Sequence, residues 1–234
     1  TRKRTNLRLV VAKNHEEATR RVVVEFKHLS ALYPRIPDHM VEPLRSGTIF
    51  LPDRYRREGS HREVGAYITS GPTGYEPLAV HRNQQYMSLG PTPHTFSKKE
   101  TELLKQRMTT TILASFDPTA RNSIDGHQIT PGAFQVNRPS RGLPRLMLFN
   151  CVHMQPRLTP SRLLGFLLTD HWESRGVQSP LTPEDPRAFY DAVVNAVGPE
   201  TAKQWVNQFV QQAAADKIKA PKDGFVDLLA DVVD

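Results

Sequence analysis

The sequence is poor in cysteine, in tryptophan and in long apolar runs. Its single cysteine, Cys151, excludes an intramolecular disulfide and cannot build a thiolate metal cluster, so a reducing, intracellular setting is expected. No stretch reaches the roughly 18 consecutive apolar residues of a membrane-spanning helix, and no signal-peptide pattern is read, so a soluble cytoplasmic or nuclear protein with no membrane span is expected. The nine histidines include no pair at zinc-protease spacing. The chain starts on Thr1, followed by Arg2, Lys3 and Arg4, and its sequence does not decide whether it is a whole protein or a piece of a longer one.

What is present is the composition of a folded protein: 234 residues, 38% hydrophobic and 24% charged, with 19 prolines. Thirty-one Lys and Arg against 24 Asp and Glu leave a net charge of +7, which either belongs to a solvated mixed-charge surface or marks a polyanion partner. The densest charge run, residues 53–63, holds Arg54, Arg56, Arg57 and Arg62 around Gly59 and Ser60. It reads as an exposed loop and as the candidate anion-binding patch.

Residues 7–12 alternate as a strand, and residues 15–33 as a helix stopped by Pro34. On a helical wheel Ala18, Val22, Phe26, Leu29, Leu32 and Tyr33 share an arc of about 120°. Glu25 falls inside that arc, either buried among the apolar side chains or at a rim from which it reaches water. A buried carboxylate needs a cation or donors, and Lys13, at the end of the preceding strand, is the nearest candidate in sequence. Short strands are expected near 47–51 and 64–69, whereas 75–93 carries no clear signal. Ser97 and Glu100 form a capping box that opens a helix to about Ser115. Residues 132–137 and 143–149 read as a hairpin. Thr159-Pro160 and Thr182-Pro183 each place a cap before a first-turn proline, opening helices near 161–168 and 184–197. Helices at 200–218 and 224–233 complete the chain.

The order of these elements resembles the two-lobed protein-kinase and aminoglycoside-phosphotransferase fold. Val-Val-Ala ending at Lys13 is similar to the family's phosphate-binding strand, and Glu25 matches the glutamate that pairs with that lysine. Residues 126–136 resemble the catalytic loop: Pro131-Gly132 and the apolar Phe134 and Val136 are kept. Gln128 stands where the catalytic aspartate would be, and Ala133 where the metal-binding asparagine would be. Leu148, Phe149 and Asn150 resemble the Asp-Phe-Gly motif with the aspartate and glycine replaced. Magnesium needs oxygen ligands, which an alanine and a leucine side chain lack. A glutamine does not accept a proton as a carboxylate does.

The resemblance implies an α+β, two-lobed kinase-like architecture: a small β-rich lobe with one long helix over 1–80, a connector over 81–96, and a mostly α-helical lobe over 97–234 with a hairpin near 132–149. It further implies a catalytically inactive, pseudokinase-like interaction or scaffolding module with a protein partner, Lys13 and Glu25 forming a cleft ion pair. No cofactor or metal is expected beyond weak, metal-independent nucleotide binding. Two alternatives stay open: a basic nucleic-acid-binding or assembly protein using the Arg-rich loop, and a residual phosphotransferase using Asp117 or Asp125 as a displaced base. Cys151 with His127 or His153 is a further nucleophile candidate, set against a buried structural thiol.

Overall fold

In the computed structural model, the first strand and the helix after it pack on opposite sides of one decision, made by residue parity. β1 (Thr5–Val11) alternates between two faces, and α1 (Glu16–Leu32) packs mainly on the other two strands of the same sheet. The structure describes residues 5–13, 16–50, 63–80, 86–125, 129–139, 142–151, 153–169, 181–221 and 224–233. Glu16 and Glu17 complement the positive N-terminal end of α1, and Val22, Glu25, Leu29 and Leu32, spaced three and four apart, form its buried stripe.

β2 (Glu42–Phe50) and β3 (Glu63–Pro72) complete an antiparallel sheet of order β1-β3-β2. The central strand lies against α1 at Gly65, whose N–H donates to Thr19 Oγ1 at 3.2 Å. A Cβ on Gly65 would stand 3.0 Å from the Thr19 methyl, so this close helix–strand approach depends on glycine.

The chain then turns at Gly74 (φ 80°) into β4 (Glu76–Val80), β5 (Tyr86–Ser88) and β6 (His94–Thr95). These join β8 (Phe134–Asn137) and β9 (Arg145–Leu148) in a second sheet of order β6-β5-β4-β8-β9. β8 and β9 form the expected hairpin, with Phe134 opposite Leu148. β5 and β6 fall within the stretch read as a connector, where two strands of three and two residues are too short to give a periodic signal. A small pair, β7 (Ser123–Ile124) with β10 (Met154–Gln155), closes the region beneath.

α2 (Lys98–Ala114) starts on the expected capping box, with Ser97 and Glu100 bonded reciprocally, and its Leu104, Met108 and Ile112 are fully buried. α3 (Pro160–Leu168) is capped by Thr159 as its sequence demands. α4 spans Pro186–Val197 and begins later than Thr182-Pro183 suggests. Asp185 is its cap and Pro186 its first-turn proline, while the Thr182 hydroxyl donates to the Leu167 carbonyl at 2.6 Å. α5 (Pro199–Ala214) and α6 (Phe225–Val233) finish an α+β protein in which most of the described buried apolar residues form one cluster, with Val41 and Phe149 outside it.

Lys105 ties α2 to the entry of α4. Its buried Nζ sits 2.8 Å from Glu102 and 3.0 Å from Glu184, and Glu184 N–H donates to Glu102 at 3.1 Å. The Lys105 ammonium holds the Glu184 carboxyl below its ordinary value. A carboxyl with a depressed folded-state pKa stabilises the protein above its unfolded value of 4.5 and ceases to do so as pH falls through the depressed value. Lys105→Met, which keeps the packed stem, is therefore expected to cost about 1 kcal/mol at pH 7 after allowing for the exposure of Glu184, or about 2–4 °C in Tm. In thermal melts from pH 7 down to 3 the gap to wild type should close; a gap that stays constant with pH would show that packing alone is at stake.

Candidate functional site

The two sheets meet along a cleft of about 410 Å³ whose lining includes Arg8, Thr69, Gly71, Tyr75, Gln135 and Phe149. Its floor is set by a backbone seam. Leu148 N–H donates to the His39 carbonyl at 2.7 Å, and the Leu148 carbonyl accepts from Val41 N–H at 3.1 Å. The N–H groups of Phe149 and Asn150 both donate to the Ala133 carbonyl, at 2.9 and 3.1 Å. Ala133, Phe149 and Asn150, well separated in sequence, are thus held together, and Leu148 is sealed in the core at 0% exposure.

The seam leaves the Phe149 ring facing β1. The Arg8 guanidinium lies 5.5 Å from the centre of that ring, a cation–π distance, and the Tyr75 ring stands 6.2 Å away on a tilt of 40°. Gly71 makes room for this packing, since an added Cβ would meet Val41 at 2.9 Å and the Phe149 ring at 3.7 Å. Among the described lining residues no carboxylate faces the cleft.

Glu25 is buried at 8% exposure, as its place on the wheel demands, but its surroundings differ from the expectation. Lys13 is exposed, and no Lys13–Glu25 ion pair occurs among the described residues. The reason is parity: Lys13 shares the outward phase of Leu7, Leu9 and Val11, whereas Arg8 shares the inward phase of Val10 and Ala12. The cations within electrostatic reach of Glu25 are Arg8 and Arg21. The carboxyl also faces the Tyr67 hydroxyl and the Cys151 main-chain N–H, both of which favour its charged form. The Tyr67 contact falls short of full hydrogen-bond geometry, which leaves the buried hydroxyl without a hydrogen-bond partner among the described residues. Desolvation outweighs all of these and raises the Glu25 pKa above 4.5.

Cys151 is a buried thiol whose Sγ donates to the His153 main-chain carbonyl at 3.7 Å. Burial, then the nearby Glu25, push its pKa up to about 12, so it stays protonated and unreactive at neutral pH. Asp117 is engaged as a turn cap, accepting from Thr119 and Ala120 N–H at 2.8 and 2.9 Å, which lowers its pKa. Asp125 is buried, its N–H donating to the His153 carbonyl at 3.0 Å. Gln128, His127 and the arginines Arg54, Arg56, Arg57 and Arg62 lie outside the described residues. Arg8, Tyr67 and Tyr75 were missed in the sequence; a charged residue in phase with Val10 and Ala12 on an alternating strand was the signal for Arg8.

Compared with protein-family models, with curated proteins and with solved structures, the chain finds no match. None of its helices among the described residues is long and apolar enough to cross a membrane.

Glu25 supplies a test of this geometry. A carboxyl whose folded pKa is raised costs stability as pH climbs from the unfolded value of 4.5 through the raised one. Glu25→Gln is expected to raise Tm at pH 7 by about 2–4 °C, the equivalent of about 1 kcal/mol, and to flatten the pH dependence across that window. A buried ion pair to Lys13 predicts the reverse sign, so a Tm that falls in Glu25→Gln would restore it.

Proposed function

We propose that the protein is a kinase-like module without phosphoryl-transfer competence that acts as an interaction or scaffolding unit. The observation that carries this reading is the seam itself. The positions where the resemblance requires metal-binding oxygens come together in space, and they are filled by Ala133 and by Leu148, the latter wholly enclosed in core. A methyl and an isobutyl group offer no ligand to magnesium, and among the described residues neither the lining of the cleft nor that of the neighbouring cavity of about 370 Å³ around Ala133 and Asn150 includes a carboxylate.

The framework supports the two-lobed reading in three respects. α1 is inserted between β1 and β2 of a sheet ordered β1-β3-β2, its single buried carboxylate points at the segment after β9, and the β8–β9 hairpin sits beneath. The cleft cation in this reading is Arg8, not Lys13. Its guanidinium is committed to the Phe149 ring and to the field of Glu25, and that closes the cleft around a side-chain cluster. A cleft with no carboxylate among its described lining residues suits a protein whose work is done on its surface.

The reading is tested by thermal-shift titration with ATP in magnesium and in EDTA, together with a phosphate-release assay. Any stabilisation by ATP should be small, at most about 1–2 °C, and indifferent to magnesium, with no turnover above buffer. A shift that requires magnesium or manganese and is accompanied by phosphate release would replace this reading with that of an active phosphotransferase.

A further inference from the structure

Among the described residues β1 is an edge strand, bonded to β3 on one side and to no strand on the other. The bond from Ala12 N–H to the Gly65 carbonyl, 2.9 Å, fixes the phase of the ladder. In an antiparallel pair the bonded residues alternate, so Ala12, Val10, Arg8 and Asn6 turn their N–H and C=O groups toward β3. Val11, Leu9 and Leu7 then turn theirs toward the open side. The side chains of these same three residues are exposed, at 38%, 55% and 71%. Unused backbone groups and bare apolar side chains therefore come from one set of residues.

Edge strands are ordinarily blunted by proline, bulges or outward charges. β2, the other edge of this sheet, has both Pro43 and a bulge between Pro43 and Arg45. β1 keeps an unbroken register with β3 from Thr5 to Val11 and has neither device. Its charge is one-sided: residues 1–13 contain Arg2, Lys3, Arg4, Arg8 and Lys13 and no carboxylate. A second copy of the chain paired on this edge would set cations against cations, which disfavours self-association.

We propose that the outer edge of β1 takes up an extended segment of a partner polypeptide as an added strand, apolar at alternate positions and acidic between them. The apolar positions cover Leu7, Leu9 and Val11, the backbone bonds to the outward groups of the same residues, and the acidic positions fall on the face of Arg8. Leu7 and Leu9 also border the cleft, so the added strand extends its rim. The inference deepens the interaction-module reading and rests on it for the existence of a partner.

The test uses the full chain and a capped synthetic peptide of about eight residues alternating valine and glutamate, a common strand length. Backbone amide exchange is followed by NMR during the titration. At saturation the amides of Leu7, Leu9 and Val11 should slow by about tenfold or more, while those of Arg8 and Val10, already bonded to β3, stay unchanged. Leu9→Pro removes one outward N–H and no bond to β3, and an edge strand tolerates proline. It should weaken peptide binding by about tenfold or more while Leu9→Ala, which keeps the N–H, weakens it less. If Leu9→Pro lowers Tm markedly, the same comparison is made on the wild-type chain with a peptide N-methylated at alternate residues, which should fail to bind. The proposal is overturned by unchanged exchange at millimolar peptide, or by binding that survives both Leu9→Pro and N-methylation and responds only to salt. It is also overturned by a concentration-dependent dimer that Leu9→Pro abolishes, which would make a second copy the occupant. A failed peptide titration leaves the magnesium-independent cleft standing, and magnesium-dependent turnover leaves the strand edge standing, so the two readings fail separately.

Discussion

The backbone seam at residues 148–150 is the constraint from which the rest of the site follows. Leu148 is bonded on both its N–H and its carbonyl to the segment leading into β2, and the next two N–H groups converge on a single carbonyl, that of Ala133. A backbone held on every side does not let its side chains choose their directions. Leu148 is delivered to the core, Phe149 to the cleft beneath Arg8, and Cys151 to the neighbourhood of Glu25. Burying apolar Leu148 and Phe149 stabilises the junction of the two sheets, by about 2–3 kcal/mol for each side chain. A carboxylate at 148 would face desolvation in the same enclosed place.

Glu25 shows how such a frame tolerates one costly group. The helix needs an inward residue at that position, and the residue is acidic, so burial raises its pKa while Arg8, Arg21, Tyr67 and the Cys151 N–H favour the ionised form. Burial, and then the same carboxyl, raise the pKa of the Tyr67 hydroxyl and of the Cys151 thiol, so Glu25 opposes the ionisation of both. The Cys151 thiol is thereby held protonated at neutral pH. That is the opposite of an activated nucleophile, which needs its proton drawn away.

How much of this was legible depended on how local each determinant is. The capping box at Ser97 and Glu100, the cap at Thr159 and the stripe of α1 are written within a few residues, and they appear where the sequence puts them. The start of α4 slipped because two threonine- or aspartate-proline signals stand side by side, and the choice between them was made by the Thr182 hydroxyl reaching the distant Leu167 carbonyl. β4, β5 and β6 were hidden because strands this short gain their stability from neighbours far along the chain. In the site, the hairpin and the burial of Glu25 were readable, and the partner of Glu25 was not. Nearness in sequence suggested Lys13, but a strand sends alternate residues to opposite faces, and one residue of phase separates a cleft cation from a surface one.

That same alternation couples the outer edge of β1 to the cleft. Leu7 and Leu9 cannot shift without carrying Arg8 between them, and Arg8 spans the gap to Phe149 and the field of Glu25. β1 is held to the sheet along one side only, so its outer backbone is the least restrained part of the cleft wall. Backbone bonds added along that side would restrict the strand's twist and, through Arg8, the aromatic floor below. The contact of Arg8 with the Phe149 ring restrains β1 from its inner side in turn, and a strand already restrained there loses less conformational entropy on receiving a partner.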